Sequence, residues 1–190
     1  MIADQDRSGW FGASDTATIM GNWKTKTFGK WWMQKLGVNN SNFTSRAMNA
    51  GTYYEHAILD TIGAPRRDHQ ILLPELLLRV NLDGDAPGRI YEIKTHGAAK
   101  TFKVTKAYWQ QVQVQMYAKN QTDDFTPVAH IVAYGLEEED YKNFFREIDP
   151  ARLTRHYVEY DPNFIGKYLP RLEYLRDCFK AGRWPDESDI

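Results

Sequence analysis

The chain has one cysteine, Cys178, among its 190 residues. A lone thiol closes no internal disulfide and cannot supply the several thiolates of a cysteine-ligated zinc or iron–sulfur site. Cys178 itself, inside an amphipathic stretch, reads as a packing residue on a helix. The five histidines, at 56, 69, 96, 130 and 156, lack the close spacing of a zinc motif. No apolar run approaches the length of a membrane span, and the opening Met1-Ile2-Ala3-Asp4-Gln5-Asp6-Arg7 has no apolar core for a secretory leader. A cytoplasmic protein with no membrane partner is expected. Internal repeats, low-complexity tracts and linkers are missing too.

Excess charge of either sign is also missing: 24 lysines and arginines face 25 carboxylates, for a formal net charge of −1. Bulk electrostatics therefore do not announce a polyanionic partner. The distribution is uneven, however. Lys24, Lys26 and Lys30, then Arg66 and Arg67, then Lys94, Lys100, Lys103 and Lys106 form basic groups, while Glu137 to Asp140 and Asp186 to Asp189 are acidic. Such patches could track a phosphate backbone, and solvated faces explain them equally well. A hydrophobic fraction of 42% in a chain of this length is enough for one α/β domain over residues 1–190 with a real core.

What is present is centred on Asn81-Leu82-Asp83-Gly84-Asp85-Ala86-Pro87-Gly88-Arg89-Ile90-Tyr91-Glu92-Ile93-Lys94. It sets Asp83 just before an expected turn and Glu92 and Lys94 on the strand that follows. Side chains alternate across a strand, so Glu92 and Lys94 share one face while Tyr91, Ile93 and Thr95 share the other. Two hard carboxylate ligands and an ammonium suit metal-assisted phosphodiester hydrolysis with Mg²⁺ or Mn²⁺. Taken alone, the same pattern is also an ordinary hairpin with a solvated acid and base.

The remaining elements are expected as follows. A short helix runs from Ser14, its N-cap, to Met20, after a glycine-punctuated segment that begins with Arg7 and could bind a phosphate at the helix start. Helices follow at 27–36 and 46–62. On the second of these, Glu55 shares the apolar stripe with Gly51, Ile58, Leu59 and Ile62, where a carboxylate requires a buried cationic partner or a metal ion. Strands at 69–73 and 76–82 join the central strand in an antiparallel meander. A helix over 105–120 carries Gln111 on one face with Ala107, Tyr108, Val114, Gln115 and Ala118. That glutamine can serve a metal-bound water, a phosphate oxygen or a neighbouring carboxylate. Strands at 128–134 and 153–160 precede a helix over 162–181 that contains Pro170, and residues 181–190 are expected to fray.

In this order the pieces resemble the lambda-exonuclease-like, YqaJ-type viral recombinases of the PD-(D/E)XK nuclease superfamily. The carriers are Arg7 with Gly12-Ala13-Ser14-Asp15, Gly51-Thr52-Tyr53-Tyr54-Glu55, Asp83-Gly84, Glu92-Ile93-Lys94 and Trp109-Gln110-Gln111-Val112-Gln113-Val114-Gln115-Met116. Asn81-Leu82 stands where the family often has Ser-Pro, and Thr95-His96-Gly97 replaces its small or proline-containing segment. The resemblance implies a restriction-endonuclease-like core, a central mixed sheet flanked by helices. It implies Asp83, Glu92 and the Ile93 carbonyl as ligands of two Mg²⁺ or Mn²⁺ ions, with Glu55 bound directly or through water. Lys94 would orient and activate the attacking water, Gln111 would hold Lys94 or that water, and Arg7 and Ser14 would bind a 5'-phosphate.

The activity so implied is 5'-to-3' degradation of one strand at a double-stranded DNA end, inside a phage-infected or bacterial cell, leaving a 3' overhang for a strand-annealing protein. A homotrimer is implied as well. An endonuclease or repair nuclease on the same core, or a non-catalytic binding relative, are the competing expectations. His96 is expected to cap a turn, and Asp85 either shares the metal with Asp83 or caps the loop.

Overall fold

In the computed structural model, which describes residues 8–38, 45–123 and 126–190, the branched aliphatic runs pair into a five-stranded sheet in sequence order. Its strands are β1 (Arg66–Leu73), β2 (Leu78–Ala86), β3 (Arg89–Gly97), β4 (Val128–Leu136) and β5 (Leu153–Val158). The first three form the antiparallel meander, whereas β4 lies parallel to β3 and β5 antiparallel to β4. A parallel neighbour needs a long crossover, and helix α4 (Lys106–Asn120) supplies it. The result is the mixed sheet flanked by helices expected of an α/β nuclease core.

The β2–β3 turn falls later than the sequence suggests. β2 continues through Asp83, Gly84 and Asp85, the last two paired to both β1 and β3, and the chain reverses at Pro87-Gly88, where Gly88 takes φ 72. Proline fixes the turn entry and glycine accepts the left-handed corner, so this dipeptide outcompetes Asp83-Gly84 as the turn.

The other helices are α1 (Thr16–Ile19), α2 (Lys26–Lys35), α3 (Arg46–Thr61) and α5 (Pro162–Lys180). Thr25, Ser45, Thr105 and Asp161 cap α2, α3, α4 and α5 through side-chain oxygens that accept early backbone N–H groups. Ser14 is not a cap. A 3-10 turn, Ala13–Asp15, precedes α1, and the N–H of Gly12 donates to Asp15 Oδ2 at 2.7 Å. Asp15 is also the acceptor for Trp31 Nε1 at 2.9 Å and pairs with Lys35 at 2.6 Å. A buried carboxylate with these partners is the stronger acceptor for the Gly12 N–H, and Ser14 is an exposed residue of the turn.

Helices cover both faces of the sheet. On one, Leu78, Val80, Leu82, Ile90 and Ile131 pack with Val112 and Met116 of α4 and with Tyr168, Leu172 and Cys178 of α5. On the other, Tyr91, Ile93, Val132 and Tyr134 pack with Ala50, Tyr54, Ile58 and Leu59 of α3. Strand β3 thus divides its side chains between the α4 layer and the α3 layer. Residues 181–190 are anchored instead of frayed: Glu187 accepts from Arg171 at 3.0 Å and from the N–H of Trp23 at 3.1 Å, and Tyr174 donates to Asp189 at 2.6 Å. An acidic string looks solvated in sequence because these partners come from distant segments. Among the described residues, no helix is long and apolar enough to cross a membrane.

Candidate active site

Asp83 sits where β2 and β3 part. Their ladder pairs Ala86 with Arg89, Asp85 with Ile90 and Gly84 with Tyr91, and there it stops. The next inward donor, the N–H of Ile93, is taken by Asp83 Oδ2 at 2.7 Å. A carboxylate stands in for a backbone carbonyl and is thereby held in the seam between the strands.

Glu92 and Lys94 project on the α4 side of β3, as strand alternation requires. Glu92 is buried and accepts three hydrogen bonds: from Lys94 Nζ at 2.6 Å and Gln111 Nε2 at 2.7 Å on Oε1, and from Gln115 Nε2 at 2.5 Å on Oε2. Lys94 Nζ also donates to Gln111 Oε1 at 3.2 Å and lies 4.6 Å from the centre of the Tyr108 ring. Gln111 therefore contacts both the lysine and the carboxylate, which combines two of the roles open to it from sequence.

Glu55 reaches the site because α3 lies unusually close to the sheet. A Cβ on Gly51, one turn before Glu55, would stand 3.1 Å from Thr95 Oγ1. One on Gly84, next to Asp83, would stand 2.7 Å from Leu59 Cδ2 and 3.3 Å from the Arg66 carbonyl. The two glycines let the helix settle on β2 and β3. Among the described residues no arginine or lysine pairs with Glu55; its carboxylate lies instead with His56 and Asp68, ligand atoms all within 4.8 Å of one another.

The electrostatics follow from this convergence. Burial pushes the Asp83 carboxyl well above the usual range, and Glu92 and Glu55 push it further against the pull of the Ile93 N–H and Lys94. Burial also raises Glu55, with Asp68 and Glu92 adding to it. For Lys94, burial opposes the charge, but Glu92 and Asp83 outweigh it and hold the ammonium above its ordinary value. Asp83 and Glu92 thus share one lysine, with Glu55 as a third carboxylate near them. This donor set of hard oxygens with a deficit of positive charge fits a divalent cation such as Mg²⁺ or Mn²⁺.

Asp83, Glu92, Lys94 and Gln111 come together, with Glu55 beside them. Ser14 is exposed on the 3-10 turn, and Arg7 lies outside the described residues. Asp85 neither joins Asp83 nor caps a loop: fully buried, it accepts from Arg66 Nε at 2.8 Å and pairs with Lys119 at 2.8 Å. Burial alone would raise its carboxyl, yet Arg66 and Lys119 hold it below the usual range. His96 Nδ1 lies 3.0 Å from the Gly97 carbonyl. Gln115 shares the face of Gln111, and its spacing of one helical turn from that residue is the only cue in the sequence to its contact with Glu92.

Comparison with known structures confirms the fold. An alkaline exonuclease from Laribacter hongkongensis, LHK-Exo, one structure of which is a complex with dAMP, superposes with a TM-score of 0.68 at 20% identity, over 93% of this chain and 90% of that one. A phage-related exonuclease from Haemophilus somnus 129PT superposes with a TM-score of 0.66 at 15% identity, over 90% of this chain and 94% of that one. None of the curated proteins compared matches the chain. A family model, the YqaJ-like viral recombinase domain, matches residues 4–122, which include every element that contributes to the site. The chain belongs to the YqaJ-like viral recombinase domain family.

Proposed function

We propose that this protein is a metal-dependent 5'-to-3' exodeoxyribonuclease that acts on 5'-phosphorylated ends of linear duplex DNA. The observation that carries the reading is the placement of Asp83 and Glu92 about one ammonium, Lys94, at the open seam of β2 and β3, with Glu55 close enough to raise the Asp83 carboxyl further. Membership of a viral recombinase family and structural likeness to exonucleases support a nuclease.

In this reading Asp83, Glu92 and the Ile93 carbonyl would hold Mg²⁺ or Mn²⁺, two ions being expected, with Glu55 bound directly or through water. The N–H and C=O of a strand residue point to the same edge, so the Ile93 N–H bonded to Asp83 supports a carbonyl aimed at the same seam. A divalent cation held there would supply neutralisation of the phosphate charge and a lowered pKa for a bound water. Lys94, held as an ammonium, donates to the attacking water or a phosphate oxygen and orients it. Gln111, which accepts from Lys94 and donates to Glu92, fixes the distance between cation and carboxylate. Preorganised charge of this kind needs no reorganisation during reaction.

Arg7 and Ser14 bind the terminal 5'-phosphate, which sets polarity because only a phosphorylated end seats its first scissile bond over the carboxylates. The product is a duplex with a 3' single-stranded overhang, the substrate of a strand-annealing protein, and a homotrimer would keep the enzyme on its DNA. The deciding experiment compares linear duplex bearing 5'-phosphate or 5'-hydroxyl with closed circles, in Mg²⁺ and in EDTA. Loss of the phosphorylated strand in Mg²⁺ alone supports the reading. Cutting of closed circles would make the protein an endonuclease instead.

A further inference from the structure

We infer that Gln115 is a positioning residue for Glu92, completing with Gln111 a clamp on both oxygens of that carboxylate and so setting the affinity of the site for its divalent cation. The inference rests on the assignment of Glu92 as a ligand. Gln111 and Gln115 stand four apart on α4, hence on one face. They divide Glu92 between them, Gln111 Nε2 donating to Oε1 at 2.7 Å and Gln115 Nε2 donating to Oε2 at 2.5 Å.

The environment of Gln115 argues against a packing role. The side chain is 1% exposed, between Val114 and Met116, both fully buried. An amide in such a place costs free energy unless its polar atoms are matched. Only one end is well matched: Nε2 has Glu92 and, more distantly, the Asn81 carbonyl at 3.4 Å, whereas Oε1 is enclosed with no hydrogen-bond partner among the described residues. Methionine would fill the same volume without an orphaned acceptor. The amide is thus unfavourable locally, and what it provides is the donor aimed at Glu92. Turning it over would set Oε1 against the carboxylate oxygen, so a single orientation serves. With Lys94 as the third donor, the plane of Glu92 is fixed before any cation arrives, and such outer contacts raise metal affinity by orienting the ligand.

The test is calorimetric titration of Mn²⁺, without DNA, into the wild type, Gln115→Met, Gln115→Asn, Gln111→Met and the double variant Gln111→Met/Gln115→Met, with thermal melts in EDTA alongside. Gln115→Met is expected to melt at or above the wild-type temperature in EDTA and to lose about 10–100-fold in Mn²⁺ affinity. Asparagine, one methylene shorter, should lose a comparable amount despite retaining an amide. The double variant should lose less than the product of the single losses, because both glutamines act through the same carboxylate. An affinity within about twofold of wild type in folded Gln115→Met would overturn the clamp while leaving the metal site standing, since outer contacts that matter cost at least tenfold. Collapse of both Gln115→Met and Gln115→Asn in EDTA would overturn it too, by making Gln115 a core residue. A wild type that binds no Mn²⁺ would remove the clamp together with the proposed function.

Discussion

Asp83 Oδ2 accepts the N–H of Ile93 at 2.7 Å, at the point where the β2–β3 ladder ends. This bond does two things at once. It satisfies a backbone donor that the parted strands would leave unpaired, and it parks a carboxylate beside Glu92 and Glu55, where its charge is disfavoured. The site is therefore built against the stability of the metal-free protein.

Asp83→Asn separates those two effects, because an asparagine carbonyl can still accept from Ile93. A carboxyl whose folded pKa is raised contributes stability below its ordinary range, and that stability is lost as pH rises through the raised value. In EDTA the wild type should lose stability relative to Asp83→Asn as pH climbs from the acid range to neutrality. Each pKa unit is worth about 1.4 kcal/mol, so the variant should melt several degrees higher at neutral pH, roughly 2–4 °C per kcal/mol, while losing nuclease activity. Melting curves across pH in EDTA check this, and a variant that melts lower at neutral pH would contradict it.

Asp85 has the opposite sign. Its carboxyl is held low by Arg66 and Lys119, so its contribution is present above the ordinary carboxylate range and lost as pH falls through the lowered value. Asp85→Ala leaves the buried Lys119 with Asp123, at 2.9 Å, as its carboxylate partner among the described residues, and should cost about 3–5 kcal/mol in urea denaturation. A loss under about 1 kcal/mol would mean the pair contributes no more than an exposed one.

Gly51→Val should displace the face of α3 that carries Glu55, since even a Cβ would press on Thr95 Oγ1. Displacement of about 1 Å at a reacting centre can cost about 10²-fold in rate. Turnover of linear duplex should fall by that order with the circular dichroism spectrum retained; unchanged turnover would show that Glu55 does not need this close approach.

Arg7→Ala should narrow the preference for 5'-phosphate over 5'-hydroxyl ends while leaving Mn²⁺ affinity intact. Parallel digestion of both kinds of end checks it. An equal fall on both would count against a phosphate-reading role.

Much of this site was legible because its cues are local. Strand alternation places Glu92 and Lys94 on one face of β3, and helical periodicity exposes Glu55 as a carboxylate on an apolar stripe. The chain order of these pieces then identifies the family. What was not legible depends on partners far along the chain. Asp83-Gly84 has turn chemistry, but pairing to β1 and the Asp85–Lys119 contact extend β2 to Pro87-Gly88. Asp85 looks like a second ligand until Arg66 and Lys119 are seen beside it. Ser14 looks like a cap until Asp15 is found accepting the Gly12 N–H, and the acidic tail looks free until Arg171 and Tyr174 take up Glu187 and Asp189. Gln115 appears as one more polar residue in a glutamine-rich helix, and only its contact with Glu92 distinguishes it.

The central claim is that the Asp83, Glu92 and Lys94 cluster hydrolyses DNA ends with a divalent cation. The most direct measurement follows the 5'-phosphorylated strand of a linear duplex with wild type and Lys94→Ala, in Mg²⁺ and in EDTA. The account predicts stepwise loss of that strand from its 5' end by wild type in Mg²⁺, none in EDTA, and a rate lower by about 10²–10⁴-fold in the folded variant. Digestion that persists in EDTA, or that proceeds undiminished in Lys94→Ala, would contradict it.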